Sequence, residues 1–299
     1  MRLSPRTAAM LALIFGAAVI GLAPILPRLT GVGPAAAAFW RLSLAAPLLL
    51  AMTGFTGGPG RPSGWALGAG VFFAADIAFW HYGLTYTSVA NATVLTNLTP
   101  IVVTLAAWVM FRERPKALFV VALGLAVAGA ATVSLARGSG GTGTNPPLGN
   151  ALSAVTALWY GGYFICIREA RKSSGAARVM LWSSLAGAPV LLAVALALGE
   201  RVWPATAAGW AACAGLGLMH VAGQGSIAWA LGRLPAALAA VTVLVQVVVA
   251  AILGWAVFGE AVSAVQALGA AVLLGGVVLA QVSAARKKTA AAESSATAA

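Results

Sequence analysis

Ten apolar runs punctuate the chain, at roughly 7–26, 34–53, 65–84, 89–111, 117–136, 148–167, 179–198, 208–231, 236–258 and 264–283. A helix of about 20 apolar residues crosses a hydrocarbon core about 30 Å thick. That core offers no partner to a bare peptide group, so only helices and closed barrels satisfy the backbone there. The runs are too long and too uniformly apolar for barrel strands, which alternate over about ten residues. The expected fold is therefore an all-α membrane protein with ten transmembrane helices. Composition agrees: 8% of the 299 residues are charged and 61% hydrophobic, against about 25% charged in a soluble domain. Arg2 and Arg6 ahead of the first run resemble a signal peptide. However, Pro24, Pro27 and Arg28 follow without a small-x-small cleavage site, so the run reads as a first span.

Much of the chain occurs twice. Moved forward by 147 positions, 82–131 lies without a gap on 229–278, placing Trp108 on Trp255, Phe111 on Phe258, Glu113 on Glu260, Ala117 on Ala264 and Gly129 on Gly276. Gly64-Trp65-Ala66 returns as Gly209-Trp210-Ala211 at an offset of 145, and Trp40 and Pro47 return as Trp182 and Pro189 at 142. Small insertions in loops or helix bulges would produce that drift. The polar, flexible stretch 138–147, GSGGTGTNPP, divides the runs five and five. Because five is odd, the second set enters the membrane from the other side, giving two inverted five-helix repeats, an arrangement used for alternating access. The expected divisions are a first repeat at 1–137, an external linker at 138–147, a second repeat at 148–283 and a basic, disordered cytoplasmic tail at 284–299.

The net charge of +12 has a topological explanation. With the N-terminus inside, 14 of the 18 Lys and Arg fall on cytoplasmic segments, among them Arg112, Arg114, Lys116, Arg168, Arg171, Lys172 and Arg178. The opposite side receives Arg28, Arg137 and Arg201, while Arg41 lies in the second run near its end. This positive-inside bias puts both termini in the cytoplasm of a bacterial inner membrane. It calls for no nucleic acid, although anionic lipid head groups are natural neighbours. Cys166 and Cys213 lie in apolar runs and read as packing residues.

Ionisable groups inside a membrane are costly and are functional candidates by default. Asp76 is the only acid well inside a run. It reads either as a packing acid held by donors or as a site for proton coupling or a substrate amine. His81 and His220 read either as satisfied interior residues or as contacts to substrate or protons. Five residues separate Asp76 from His81, so the two face different ways on one helix. Thr93, Asn97, Pro100 and Thr104 make a stripe along the fourth run. Thr156, Trp159, Tyr160 and Tyr163 lie in the sixth, His220 and Gln224 in the eighth, and Thr242 and Gln246 in the ninth; Thr99 maps onto Gln246. Such groups also glue helices together in lipid. Taken jointly, they imply a polar cavity among the third, fourth, sixth, eighth and ninth helices. Phe79, Trp80, Tyr82, Trp159, Tyr160 and Tyr163 would stack on a flat substrate or mark the membrane interface. Pro100 frees backbone carbonyls and is a candidate hinge. Its counterpart Val247 does not, which predicts an asymmetric cavity.

There is no phosphate-binding G-x-x-x-x-G-K-S/T stretch, no zinc spacing and no G-x-S-x-G elbow. No cofactor, metal or enzymatic activity is expected, and nothing in the pattern requires an oligomer. The segments FWRLSLAAPLLLA (39–51), YGLTYTSVANATVLTNLTPIVVTLAAWVMFRERP (82–115) and ALGRLPAALAAVTVLVQVVVAAILGWAVFGEAV (230–262) resemble the EamA family of the drug/metabolite transporter superfamily. Within it they are similar to YddG-type bacterial exporters of aromatic and other neutral amino acids. The resemblance implies ten helices, inverted repeats and a central site for a small metabolite, an amino acid or similar. It also matches Glu113 and Glu260 as span-ending residues, read here as caps or loop anchors. Val247 departs from the second-repeat pattern. The alternatives are a proton-coupled transporter of drugs or other metabolites and, more distantly, an intramembrane enzyme.

The topology is testable with Arg114→Cys and Ser139→Cys, each introduced where Cys166 and Cys213 have been replaced. The two thiols are expected to react with an impermeant reagent from opposite sides. Labelling of both from the same side contradicts the inverted arrangement.

Overall fold

A computed structural model describes residues 4–22, 26–87, 89–136, 144–258 and 263–297, with side chains except at 28, 89–91, 254–255, 257–258 and 285–297. Pro24, Arg137, Glu260 and the 138–143 part of the linker lie outside the described residues. The described chain is helical, with no strand. Eight helices are long and apolar enough to cross a membrane, joined by the shorter apolar helix α1 (Pro5–Ile20). After α2 (Leu26–Leu29) come α3 (Pro34–Gly54), α4 (Gly64–Tyr86), α5 (Val89–Thr96), α6 (Thr99–Phe111) and α7 (Ala117–Leu135). The second half comprises α8 (Pro146–Ala170), α9 (Ala176–Ala197), α10 (Ala207–Met219), a π-turn (His220–Gln224), α11 (Gly225–Leu231), α12 (Ala236–Val243), α13 (Val245–Phe258) and α14 (Ala264–Thr297).

The helix starts follow local chemistry. Ser4, Ser63, Asn145 and Thr206 each accept a backbone N–H from the first turn of α1, α4, α8 and α10. Helix α14 continues through Thr297, so the disordered tail expected from 284 is described as helix. The Ala-rich sequence there, with its interspersed Lys, Arg and Glu, has high helix propensity.

Two interruptions lie inside apolar runs. The run 89–111 breaks at Asn97 and Leu98. Pro100 has no N–H to offer the Thr96 carbonyl, which instead accepts the Thr99 hydroxyl at 2.7 Å. The Ile101 and Val102 amides both turn to the Leu98 carbonyl. The run 236–258 breaks at Leu244, 147 positions after Asn97, where the Val247 amide bonds Leu244 O at 2.9 Å. The break thus recurs without a proline. β-Branched residues crowd the segment from Val241 to Val249 and weaken the helix. The Thr242 hydroxyl also bonds back to Leu238 O at 2.8 Å, a contact that bends helices.

The π-turn coincides with the last step of the drifting offset. It lies between Gly209, where the repeat offset is 145, and Trp229, where it is 147. A wide turn is where a helix accommodates inserted residues, often at a functional site.

Packing between the halves is reciprocal. A Cβ on Gly129 of α7 would lie 2.4 Å from the Leu273 nitrogen of α14, and one on Gly276 of α14 would lie 2.5 Å from the Ala126 nitrogen of α7. Positions 126 and 273 differ by the same 147 as positions 129 and 276. Gly187 of α9 meets Gly70 of α4 in the same way, while Ala45 of α3 approaches Gly217 of α10. Small residues let backbones touch where lipid supplies no hydrophobic drive. Gly129→Val and Gly276→Val should each cost about 1–3 kcal/mol by overpacking. Thermal unfolding in detergent checks this, with Gly124→Val of α7 as the neutral control because open space surrounds Gly124.

Candidate functional site

Near the middle of their helices, residues from both halves close around an aromatic and polar cluster. Tyr160 and Tyr163, three residues apart on one face of α8, stack with centroids 5.8 Å apart and planes 5° from parallel. Gln224 of the π-turn bridges them. Its Oε1 accepts from the Tyr163 hydroxyl at 3.4 Å, and its Nε2 donates to the Tyr160 oxygen at 3.5 Å. The Tyr163 hydroxyl also faces Met180 Sδ at 3.7 Å. At the start of the π-turn, His220 Nε2 lies 3.3 Å from Ser184 Oγ of α9. Phe73 of α4 packs its ring against Tyr163 at 4.9 Å and His220 at 5.3 Å. The wide turn thereby brings His220 and Gln224 into one cluster.

Two ionisable groups lie near these rings. The Arg41 guanidinium lies 5.2 Å from the Phe73 centroid. Asp76, one turn beyond Phe73, is within electrostatic reach of Arg41, Tyr160 and Tyr163. No ion pair within 4.0 Å joins Arg41 to Asp76. Arg41 and Asp76 are each 9% exposed, and Tyr163, His220 and Gln224 no more than 2%. Arg41 Nε and Nη2, and His220 Nδ1, are buried without a hydrogen-bond partner.

The placement of Arg41 corrects the sequence reading, which set it near a span end and left Asp76 as the only deep charge. Arg41 is the eighth residue of α3, about 10 Å along the axis, and its side chain turns inward. The signal was present: an arginine two turns inside an apolar run is a functional candidate on the same rule as Asp76.

The other expected residues scatter. Asn97 is buried at the α5–α6 break with Nδ2 unpartnered. Thr93 is half-buried on α5, and Thr99 is spent on the Thr96 carbonyl. His81 Nδ1 lies 3.0 Å from Ile77 O of its own helix, and its ring meets Trp80 at 4.9 Å. His81 is within electrostatic reach of Arg41 and Glu200, but neither ring contacts Tyr160, Tyr163 or His220. Trp159 lies between Phe72 and Phe79, each at 5.7 Å, with its Nε1 buried and unpartnered. Gln246 is half-buried on α13 and takes no part in the cluster's hydrogen bonds. The cluster therefore draws on α3 and α9, which were not expected, while Thr99 of the fourth run bonds locally instead.

Polar contacts tie the halves together at both ends. Glu200, from the turn after α9, accepts the Ala35 and Ala36 amides at 3.2 and 2.9 Å and the Tyr82 hydroxyl at 2.7 Å. It caps α3, whose own N-cap is Gly33, and so stands at the positive end of that helix dipole. Sequence reasoning missed Glu200 because its partners lie more than 100 positions away. At the other end, Glu113 pairs with Arg168 of α8, whose guanidinium lies 4.4 Å from the Phe111 ring. The loop-anchor reading of Glu113 accords with this contact. A cleft of ≈ 90 Å³ opens beside Glu113, Arg114 and Lys116 and shares no residue with the central cluster.

Apolar spanning helices around a buried polar interior define a multi-pass integral membrane protein. The model of the EamA-like transporter family matches residues 7–135 and again 147–281. The chain belongs to that family, whose members are membrane transporters of small molecules. No curated protein matches in sequence. A solved structure described only as "Crystal structure of protein" shares the fold, with a TM-score of 0.79 and 21% identity. It covers 94% of this chain and 98% of its own; at that identity the likeness is one of fold.

Glu200→Ala strands three donors, two of them at a helix start. The loss of such bonds to a charged group costs about 1.5–3 kcal/mol. Its unfolding midpoint should fall clearly below that of Tyr82→Phe, which removes a single donor; equal midpoints would contradict the capping role.

Proposed function

We propose that the chain crosses a bacterial inner membrane ten times, as two inverted repeats with both termini cytoplasmic, and exports amino acids, aromatic ones included. The supporting observation is that the polar cluster is shared between the halves. Arg41, Phe73 and Asp76 come from one; Tyr160, Tyr163, Ser184, His220 and Gln224 come from the other. Neither half holds a complete site, so rocking one against the other would assemble and open it in turn. The reciprocal contacts of Gly129 and Gly276 favour a two-fold relation between the repeats. The distribution of basic residues favours the orientation. Aromatic rings around Tyr163 and beside Trp159 favour a substrate with a flat apolar portion, in keeping with the YddG-type resemblance. Asn97, with its free amide at the α5–α6 break, is a further substrate contact in this scheme, and Pro100 a hinge.

Reconstituted protein and a panel of labelled amino acids test this reading. Tyr163→Ala should slow transport of phenylalanine and tryptophan several-fold more than that of alanine or threonine. Asn97→Ala should raise the apparent KM several-fold, as the loss of a hydrogen bond worth about 0.5–1.5 kcal/mol would. Equal losses for all substrates would remove the stacking role, and silence across the panel would remove the amino-acid reading.

A second reading, proton coupling through Asp76, is favoured by a carboxylate buried without an ion pair. Asp76→Asn should then abolish transport driven by a pH gradient while sparing substrate exchange. An unchanged response to the gradient would make Asp76 structural.

A further inference from the structure

A guanidinium inside a membrane protein is costly unless its charge and its donors are both answered. Arg41 is nine-tenths buried, yet its Nε and Nη2 find no acceptor. Two hydroxyls, those of Tyr160 and Tyr163, are nearby, but they are engaged with Gln224. Asp76 answers part of the charge from a distance, without reaching ion-pair range. The Phe73 face beneath Arg41 supplies attraction but no acceptor. What remains is a buried planar fork with two open donors, set beside the Phe73 ring.

We propose that Arg41 receives the free carboxylate of the transported molecule. The assignment rests on the reading of the central cluster as the substrate site and names the chemical class that site selects. Guanidinium pairs with carboxylate through two parallel N–H···O bonds, a geometry that an ammonium or a lone hydroxyl does not reproduce. An uncharged amide or ester leaves the buried cation unanswered, and an amine without a carboxylate adds a second positive charge beside it. Asp76 has a consequence here. It is the acid within electrostatic reach of Arg41, and it stands ready for a positively charged group elsewhere on the same substrate. The preferred ligand is a small carboxylate with an aromatic or apolar body, with a zwitterion as the best case.

The test uses full-length protein in nanodiscs and follows tryptophan fluorescence during titration with phenylalanine, phenylalaninamide, 3-phenylpropionate and phenethylamine. Each carboxylate should bind at least tenfold more tightly than its partner lacking one. Arg41→Gln should bring acid and amide within about twofold of each other, and Arg41→Lys, which keeps the charge but loses the fork, should fall between. Equal binding of acid and amide by the parent protein overturns the assignment without any variant, so a misfolded Arg41→Gln does not decide the matter. A preference for acid that survives in Arg41→Gln also overturns it, as does the absence of binding by every carboxylate tried. If 3-phenylpropionate shows the Arg41-dependent preference while no amino acid crosses proteoliposomes, the carboxylate assignment stands and the amino-acid reading falls.

Discussion

The inability of hydrocarbon to hydrogen-bond governs this molecule. Each segment that meets lipid must close its own backbone bonds, and helices do so. Irregular backbone can then occur at depth only where protein covers it. Here it occurs at Asn97-Leu98, at Leu244 and at the π-turn from His220 to Gln224. Local chemistry eases each interruption: the Thr99 hydroxyl takes the carbonyl that Pro100 leaves free, and the π-turn directs its two polar side chains into the buried cluster. The cost of departing from regular helix is accepted where polar groups gather.

The same solvent determines how the helices meet. With no hydrophobic drive between spans, close contact depends on small residues, and the crossings at Gly129, Gly276, Gly70 and Gly187 bring backbone against backbone. These crossings join one half to the other, so any rocking of the halves has to pivot about them. Polar contacts join the halves farther out, at the two ends: Glu200 on the start of α3, and Glu113 with Arg168. With both in place the central side chains are buried. Opening one end at a time is the motion this arrangement invites.

Much of the architecture was legible because membrane spans announce themselves by length and apolarity, and repeats by fixed offsets. All ten apolar runs lie largely on helices. The site was less legible. Tyr163, Gln224 and His220 were recognised as polar groups in apolar runs, but periodicity along one helix carries no information about which faces converge. Thr99 and His81 illustrate the difficulty, since both bond back within their own apolar runs. Arg41 was misplaced because its position in the run was weighed by nearness to an end instead of by helical rise. The recurrence of the α5–α6 break at Leu244 without proline was hidden for a further reason. Proline is a local signal, whereas a helix interrupted by β-branched residues depends on its surroundings.

The central claim is that both faces of the membrane take turns reaching one buried cluster. Ser184→Cys, in protein lacking Cys166 and Cys213, places a thiol within that cluster beside His220. Its reaction with a small impermeant reagent can be followed separately from each side of oriented proteoliposomes. The account predicts slow labelling from both sides and protection by a transported substrate. Labelling from one side only, or none from either while transport continues, would contradict it.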